Sequence, residues 1–131
     1  MHCRFSSNYF GNGQGFQVAY ESTDVTPEKT YRIGECGGSF YTPNAILTSP
    51  LYPYRYPNNS DCIYTISQPT GTVVNITFSA FDVHQFTHLT YVSDYLEIRD
   101  GSSEDAPLIG TLYGNTIPAP IQSTQNKMWM K

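Results

Sequence analysis

The chain has few basic residues and no long apolar run, and each absence restricts what it can bind. Its 131 residues include 7 Lys and Arg against 11 Asp and Glu, which gives a formal net charge of −4. Nucleic-acid binding requires clustered Lys and Arg, whereas here these residues are scattered. No stretch approaches the ~20 apolar residues of a membrane-spanning helix. The sequence therefore argues against nucleic acid as a partner and against direct membrane insertion.

Motifs of catalysis and of export are also absent from the sequence. There is no Gly-x-Ser-x-Gly motif, no His-Glu-x-x-His motif and no phosphate-binding loop. His84 and His88 have the spacing of metal ligands on a helix, but their segment has no helical pattern and no third ligand is suitably spaced. The first residues form neither a charged n-region nor an apolar h-region. We expect a non-catalytic domain without an export signal, as in a fragment of a longer protein.

Short strands separated by turns make up most of the chain. These segments are rich in β-branched and aromatic residues, and several alternate apolar with polar side chains. The predicted strands include residues 62–66, 72–78, 95–99, 108–112 and 127–130. No segment has a helical period. Since the length is that of one domain, the pattern predicts an all-β sandwich or barrel.

Three blocks of the sequence resemble the CUB domain family. They are Cys-Gly-Gly at 36–38, Ser-Pro-Leu-Tyr-Pro-Tyr-Arg-Tyr-Pro-Asn-Asn-Ser-Asp-Cys at 49–62, and Asp-Tyr-Leu-Glu-Ile-Arg-Asp-Gly at 94–101. The resemblance implies a CUB-type, jelly-roll-like β-sandwich of two antiparallel sheets. It also implies an extracellular domain whose function is protein recognition.

The cysteines and sequons agree with an extracellular location. The resemblance implies a disulfide between Cys36 and Cys62, and it leaves Cys3 as the third, unassigned cysteine. Closing such a loop would stabilise the fold by roughly 3–4 kcal/mol. N-glycosylation sequons begin at Asn58 and Asn75. We therefore expect a secreted or cell-surface glycoprotein.

The start of the chain resembles the closing segment of the same family. CUB domains typically end with an apolar strand, Phe-x-Ser-Asp, a Gly-rich turn and Gly-Phe-x-x-x-Tyr. Residues 5–8 and 15–20 carry versions of these motifs, whereas residues 128–131 end where such a segment should begin. Met1 therefore corresponds roughly to Met128, and the chain resembles one period of a tandem CUB array cut out of phase.

This correspondence predicts three regions. Residues 1–24 are the C-terminal strands of a preceding repeat, or else strands that complete the following domain. Residues 25–35 are a polar linker, and residues 36–131 are a CUB domain that lacks its last strands. If the front segment does not fold back, the domain exposes an unpaired edge. Besides a protein ligand, the expected partners are neighbouring CUB repeats or a strand-swapped dimer.

The resemblance also implies a calcium site, of which only part is retained. Many CUB domains bind Ca²⁺ through a Glu after Phe-Asp, an Asp before the third block and the Asp of Phe-x-Ser-Asp, because carboxylate oxygens suit this ion. Asp94 fits the second position, while His84 and Asn8 occupy the other two. We predict an eroded calcium site at Asp94 and Asn8, and ligand binding by Asp94, His84 and Asp61.

The leading functional hypothesis is a ligand-binding module of a multi-CUB endocytic receptor. In such proteins, as the family implies, loops near the calcium end bind a basic side chain of the ligand. One alternative is a structural spacer repeat that binds nothing, which the lost carboxylates favour. Another is an accessory module of a secreted protease. A carbohydrate-binding jelly roll is a further structural alternative.

Overall fold

The computed structural model describes residues 2–7, 13–22, 29–85 and 93–130. Within these ranges the chain forms strands and no helix. The strands are β1 His2–Ser6, β2 Gly15–Ser22, β3 Lys29–Gly34, β4 Gly38–Phe40, β5 Asn44–Pro50, β6 Asp61–Ser67, β7 Val74–Asp82, β8 Tyr95–Arg99, β9 Leu108–Leu112, β10 Ile121–Gln122 and β11 Lys127–Met130. The predicted all-β class is confirmed.

The strands form two sheets. One has the order β4-β6-β1-β11-β8-β9, and the other has the order β10-β7-β2-β5-β3. Most neighbours are antiparallel, as predicted, but β3 with β5, β4 with β6 and β1 with β11 are parallel. Two of these parallel pairs lie at sheet edges, where β3 and β4 have a partner on one side only.

The core lies between the sheets, and it is largely aromatic and aliphatic. Alternate residues of β6 and β8 are buried, because successive side chains of a strand point to opposite faces. Phe5 of β1 packs edge-to-face on Phe16 of β2 with ring centroids 5.2 Å apart, which joins one sheet to the other. Both rings are 0% exposed.

A disulfide joins Cys36 to Cys62, as the family resemblance implied. Their Cα atoms are 5.0 Å apart. The bond ties the segment between β3 and β4 to the start of β6, and thereby holds the parallel edge strand β4 against the sheet. Cys3 lies in β1.

One strand position between β6 and β8 is shared by β1 and β11. On β8, Ile98 pairs both with Met130 of β11 and with Cys3 of β1. On β6, the ladder passes from β11 at Ile66 to β1 at Thr65 without a gap. Hence β1 and β11 pair with consecutive stretches of β6 and of β8, in the same register. The correspondence of Met1 with Met128 stays a prediction.

The front segment takes part in both sheets. β1 pairs with β6 and β8, and β2 lies between β5 and β7. Part of the predicted linker 25–35 is a strand, because residues 29–34 form β3. Backbone pairing with β5 stabilises this strand despite its polar composition. The division into the regions 1–24, 25–35 and 36–131 stays a prediction.

The Cys36–Cys62 bond closes a loop with a sequence separation of 26 residues. Replacing both cysteines by Ser should lower the free energy of unfolding by about 3–4 kcal/mol, since the unfolded chain regains loop entropy. Urea unfolding under oxidising conditions measures this change. The matched control is Cys3→Ser, which leaves the disulfide intact. Equal stability of the double variant and the control would contradict the prediction.

Candidate functional site

Of the candidate metal and ligand residues, Asp61, His84 and Asp94 are described, and they lie near one end of the sandwich. β1 ends at Ser6, which is the partner of Asp61 at the start of β6 and of Tyr95 at the start of β8. In the other sheet, Gly15 at the start of β2 pairs with Asp82 at the end of β7. The loops that follow or precede these residues therefore meet at this end, which we call the loop end.

A closed ring of hydrogen bonds connects three segments at the loop end. The Tyr56 hydroxyl donates to Oδ2 of Asp94 at 2.8 Å. The backbone N–H of His84 donates to the Tyr56 hydroxyl oxygen at 2.9 Å, and the N–H of Asp94 donates to the His84 carbonyl at 3.2 Å. Asp94 is 1% exposed. Because a buried carboxylate requires partners, this ring holds the three segments in fixed relative positions.

Tyr56 remains a neutral hydrogen-bond donor in this ring. Desolvation by burial is the main reason that the pKa of its hydroxyl is raised. The hydrogen bond from the His84 N–H lowers this pKa, and the hydrogen bond to Asp94 raises it. The ring of Phe5 packs on Tyr56 with centroids 4.6 Å apart. The sequence indicated that the block containing Tyr56 is scaffold, so its role at the site was missed. The sequence feature that could have indicated this role is a tyrosine expected in the core, because a buried tyrosine hydroxyl requires a polar partner.

The turn before β2 packs on the end of β7. The backbone N–H of Gln14 donates to Oδ2 of Asp82 at 3.0 Å. A Cβ atom at position 13 would lie 2.3 Å from the Asp82 carbonyl oxygen, so only Gly13 permits this close approach. The carbonyl of Gly13 also accepts the N–H of Tyr56 at 3.3 Å. The front segment therefore contributes backbone groups to the loop end.

A polar cavity opens beside the hydrogen-bonded ring. Its volume is about 220 Å³. Two backbone hydrogen bonds between Val83 and Gly114, at 2.9 and 2.8 Å, fix one of its walls. The lining residues are Asp82, Val83, His84, Gln85, Gly114 and Asn115. The cavity presents one carboxylate, one imidazole and two amide side chains.

Asp61 lies apart from the ring. It is exposed at the start of β6, and Ser6 of β1 lies between it and Tyr95. Two strand spacings correspond to about 9.5 Å, so Asp61 flanks the loop end without joining Asp94. Asn8 and His88 lie outside the described residues.

The described residues do not form a calcium site by themselves. Among them, no group of three or more His, Cys, Asp and Glu side chains could hold a metal ion. The carboxylate of Asp94 accepts the Tyr56 hydroxyl, and that of Asp82 accepts the Gln14 amide. Of the predicted ligands Asp94 and Asn8, only Asp94 lies among the described residues, and its carboxylate accepts a protein hydrogen bond; the calcium site stays a prediction.

The two sequons differ in their surroundings. Asn58 is exposed in the turn before β6, where the Ser60 hydroxyl donates to the Pro57 carbonyl at 2.7 Å. The Ser7 hydroxyl also donates to the Pro57 carbonyl, at 2.8 Å, and so attaches this turn to the end of β1. Asn75 is half-buried in β7. Glycosylation at Asn58 and Asn75 stays a prediction.

Comparison with known proteins identifies relatives of this two-sheet domain. A CUB domain family model matches residues 36–131. Human cubilin is 37% identical over 114 residues, which are 87% of this chain and 3% of cubilin. Bone morphogenetic protein 1 of Xenopus laevis is 38% identical over 128 residues, or 98% of this chain and 16% of that protein. Human tolloid-like protein 1 is 37% identical over 97 residues, which are 74% of this chain and 9% of that protein.

The two mostly antiparallel sheets form a β-sandwich of the kind that the matching family model describes. The chain belongs to the CUB domain family. Membership implies a protein-interaction module, since CUB domains are non-catalytic. The chain spans less than a fifth of the length of each of these relatives. None of the described segments is a helix long and apolar enough to cross a membrane.

Removing the Tyr56 hydroxyl should destabilise the domain. Tyr56→Phe leaves the buried Asp94 carboxylate and the His84 N–H without this partner, so we expect a loss of about 1–3 kcal/mol in the free energy of unfolding. Tyr54→Phe is the matched control, because Tyr54 is two residues away and 77% exposed. Urea denaturation compares the two variants. The prediction is wrong if both unfold at the same urea concentration.

Calcium should have little effect on stability. Because the described carboxylates at the loop end accept hydrogen bonds from the protein, we expect equal melting temperatures in millimolar Ca²⁺ and in chelator. Differential scanning calorimetry of the oxidised chain provides the measurement, with Mg²⁺ as the control for ionic strength. A melting temperature that rises with Ca²⁺ alone would show that Asp94 and Asn8 still form a site.

Proposed function

We propose that this chain is an extracellular module that binds a basic side chain of a protein ligand at its loop end. The observation that carries the proposal is the ring formed by Tyr56, His84 and Asp94, because it fixes the loops around the polar cavity before a ligand arrives. A preformed site avoids the entropy cost of ordering loops on binding. Asp82 supplies a carboxylate to the cavity wall.

The proposed roles of the three predicted ligand-binding residues differ. Asp94 is buried, so it acts as a positioning residue that holds Tyr56 and His84. His84 lines the cavity and is half-buried. Asp61 is exposed beside the loop end and, with the net charge of −4, favours the approach of a cationic ligand. Calcium has no required part in this proposal.

The proposed parent protein is a multi-CUB endocytic receptor of the cubilin type. Human cubilin supports this choice with 37% identity, but bone morphogenetic protein 1 and tolloid-like protein 1 are equally similar. An accessory module of a secreted protease therefore stays a second candidate. An extracellular location is supported by the Cys36–Cys62 bond and by the exposed Asn58 sequon.

We also propose that residues 1–24 supply the closing strands of the CUB domain that follows them. The pairing of β1 with β6 and β8, and of β2 with β5 and β7, supports this assignment. The connecting stretch then comprises residues 23–28 only, since β3 begins at Lys29. A spacer repeat without a ligand is the competing function, and the small number of carboxylates at the loop end favours it.

Binding to a lysine-containing peptide tests the proposed site. We expect Asp82→Asn to weaken binding about five-fold, as for a partly exposed ion pair worth about 1 kcal/mol. Isothermal titration calorimetry measures the affinity, and the acetyl-lysine form of the peptide should bind more weakly by at least a comparable factor, about five-fold. Asn preserves the acceptor for the Gln14 N–H.

Asp105→Asn is the matched control for charge. Asp105 is exposed in the turn between β8 and β9, and β8 leads away from the loop end. Equal weakening by both variants would indicate non-specific electrostatic attraction and would contradict the site. No binding by the unmodified chain would favour the spacer function.

A further inference from the structure

The outer face of the β10-β7-β2-β5-β3 sheet holds a second cavity. Along β7, Val74, Ile76 and Phe78 are buried in the core, so the side chains between them point outward. The cavity has a volume of about 160 Å³. Its lining residues are Ala19, Tyr20, Glu21, Asn44, Asn75 and Thr77. The first and last residues of the sequon 75–77 therefore belong to the cavity lining.

Two adjacent rows of paired residues explain why the sheet surface is concave at this place. In one row Asn75 pairs with Glu21, and in the next row Thr77 pairs with Ala19. The first row continues from Glu21 to Asn44 of β5. Ala19 contributes only a methyl group, whereas the side chains of the first row are longer. The surface is therefore lowest over Ala19, which is one diagonal step, roughly 7–8 Å, from Asn75.

The size and the lining of this cavity suit one sugar ring. A cavity of about 150 Å³ accepts a benzene molecule, so the volume here is sufficient for a six-membered pyranose ring. The methyl groups of Ala19 and Thr77 can contact the apolar face of such a ring. Glu21 and Thr77 are exposed, and their carboxylate and hydroxyl groups are suitable hydrogen-bond partners for sugar hydroxyl and acetamido groups.

Covalent attachment at Asn75 would bring a sugar to this position. In an N-linked glycan, the side-chain amide nitrogen of asparagine is bonded directly to N-acetylglucosamine. Asn75 is half-buried between its paired residues Glu21 of β2 and Gln122 of β10, so an attached sugar leaves the sheet surface beside the cavity. Packing of the sugar on the sheet is then intramolecular. Its effective concentration is high, and weak contacts suffice to hold it.

We propose that Asn75 carries an N-linked glycan and that its innermost N-acetylglucosamine lies in the cavity over Ala19 as part of the folded surface. The sequon alone predicts attachment, whereas the cavity assigns the first sugar a place on the protein. The sugar covers this surface only in the folded state, where Ala19 and Thr77 lie side by side. Attachment therefore stabilises the folded state relative to the unfolded chain.

The two sequons and the loop end are separate parts of the surface. Asn75 and Asp82 lie near opposite ends of β7, about 23 Å apart along the strand. A glycan at Asn75 thus leaves the cavity at the loop end accessible, and the inference does not rest on the proposed function. Asn58 lies in a turn where Pro57 and Asn59 are also exposed. The first sugar of a glycan at Asn58 therefore projects into solvent.

Enzymatic release of the glycans from the folded chain tests the packing of the first sugar. The chain is secreted, behind an added signal peptide, from cells that attach high-mannose glycans, and mass spectrometry measures the occupancy of Asn58 and Asn75. Peptide N-glycosidase F cleaves the bond between asparagine and the first sugar. We expect release from Asn75 to be about ten-fold slower than release from Asn58, because the enzyme reaches a packed sugar only after local opening. After unfolding, the two rates should be equal.

Thermal melting provides the second measurement. Endoglycosidase H leaves only the first sugar, so this treatment should not change the melting temperature. Asn75→Gln should lower the melting temperature of the glycosylated chain by about 3 °C, but it should have no effect in a chain made without glycans. Asn58→Gln is the matched control and should leave the melting temperature unchanged. Ala19→Gln fills the cavity and keeps the sequon, so in this background Asn75→Gln should have no effect.

Three results would overturn the proposal. They are an unoccupied Asn75, equal rates of release of the two glycans from the folded chain, and a melting temperature that does not depend on the Asn75 glycan. The last two would mean that the glycan extends into solvent from its first sugar onward. Since none of these measurements involves lysine-peptide binding, failure of this proposal and failure of the proposed function are distinguishable.

Discussion

The hydrogen bond between the Tyr56 hydroxyl and the buried Asp94 carboxylate is the interaction on which the loop end depends. It joins residues 38 positions apart in sequence, and the hydroxyl oxygen also accepts the His84 N–H. A carboxylate removed from water requires a hydrogen-bond donor as its partner. Because the pKa of Tyr56 is raised, its hydroxyl stays protonated at physiological pH and remains such a donor. Loops that would otherwise move independently are held by one buried group, so the cavity beside Asp82 has a defined shape.

The core of the sandwich holds the Tyr56 ring in place. Phe5 and Phe16 meet in the centre of the core, and Tyr56 packs on Phe5. The ring that carries the hydroxyl is therefore part of the core, while its oxygen reaches the loop end. Core packing and site geometry are linked through this one side chain. A change in the packing around Tyr56 would also displace the loop that carries His84.

The alternating strands predicted the all-β class because they are local patterns, and the resemblance to the CUB family implied the two sheets and the Cys36–Cys62 pair. It did not predict β3, since an exposed edge strand of polar composition has the same local signal as a linker. The role of Tyr56 was missed for a different reason. Its partner Asp94 is distant in sequence, and no local pattern indicates which buried hydroxyl meets which carboxylate. The two alternatives for the front segment also depended on long-range pairing, which only tertiary structure can describe.

The position of the front segment has a consequence for the order in which the chain can fold. β1 and β2 precede their partners in the sequence, which are residues 61–65 and 95–98 for β1, and residues 44–48 and 74–82 for β2. β1 therefore stays unpaired until residues 61–65 have been synthesised, and the neighbours of both strands are complete only after residue 98. Non-local pairings of this kind slow folding and prolong the exposure of strand edges. The crowded environment of nascent chains, where copies lie close together, is thus where this topology is most vulnerable to association.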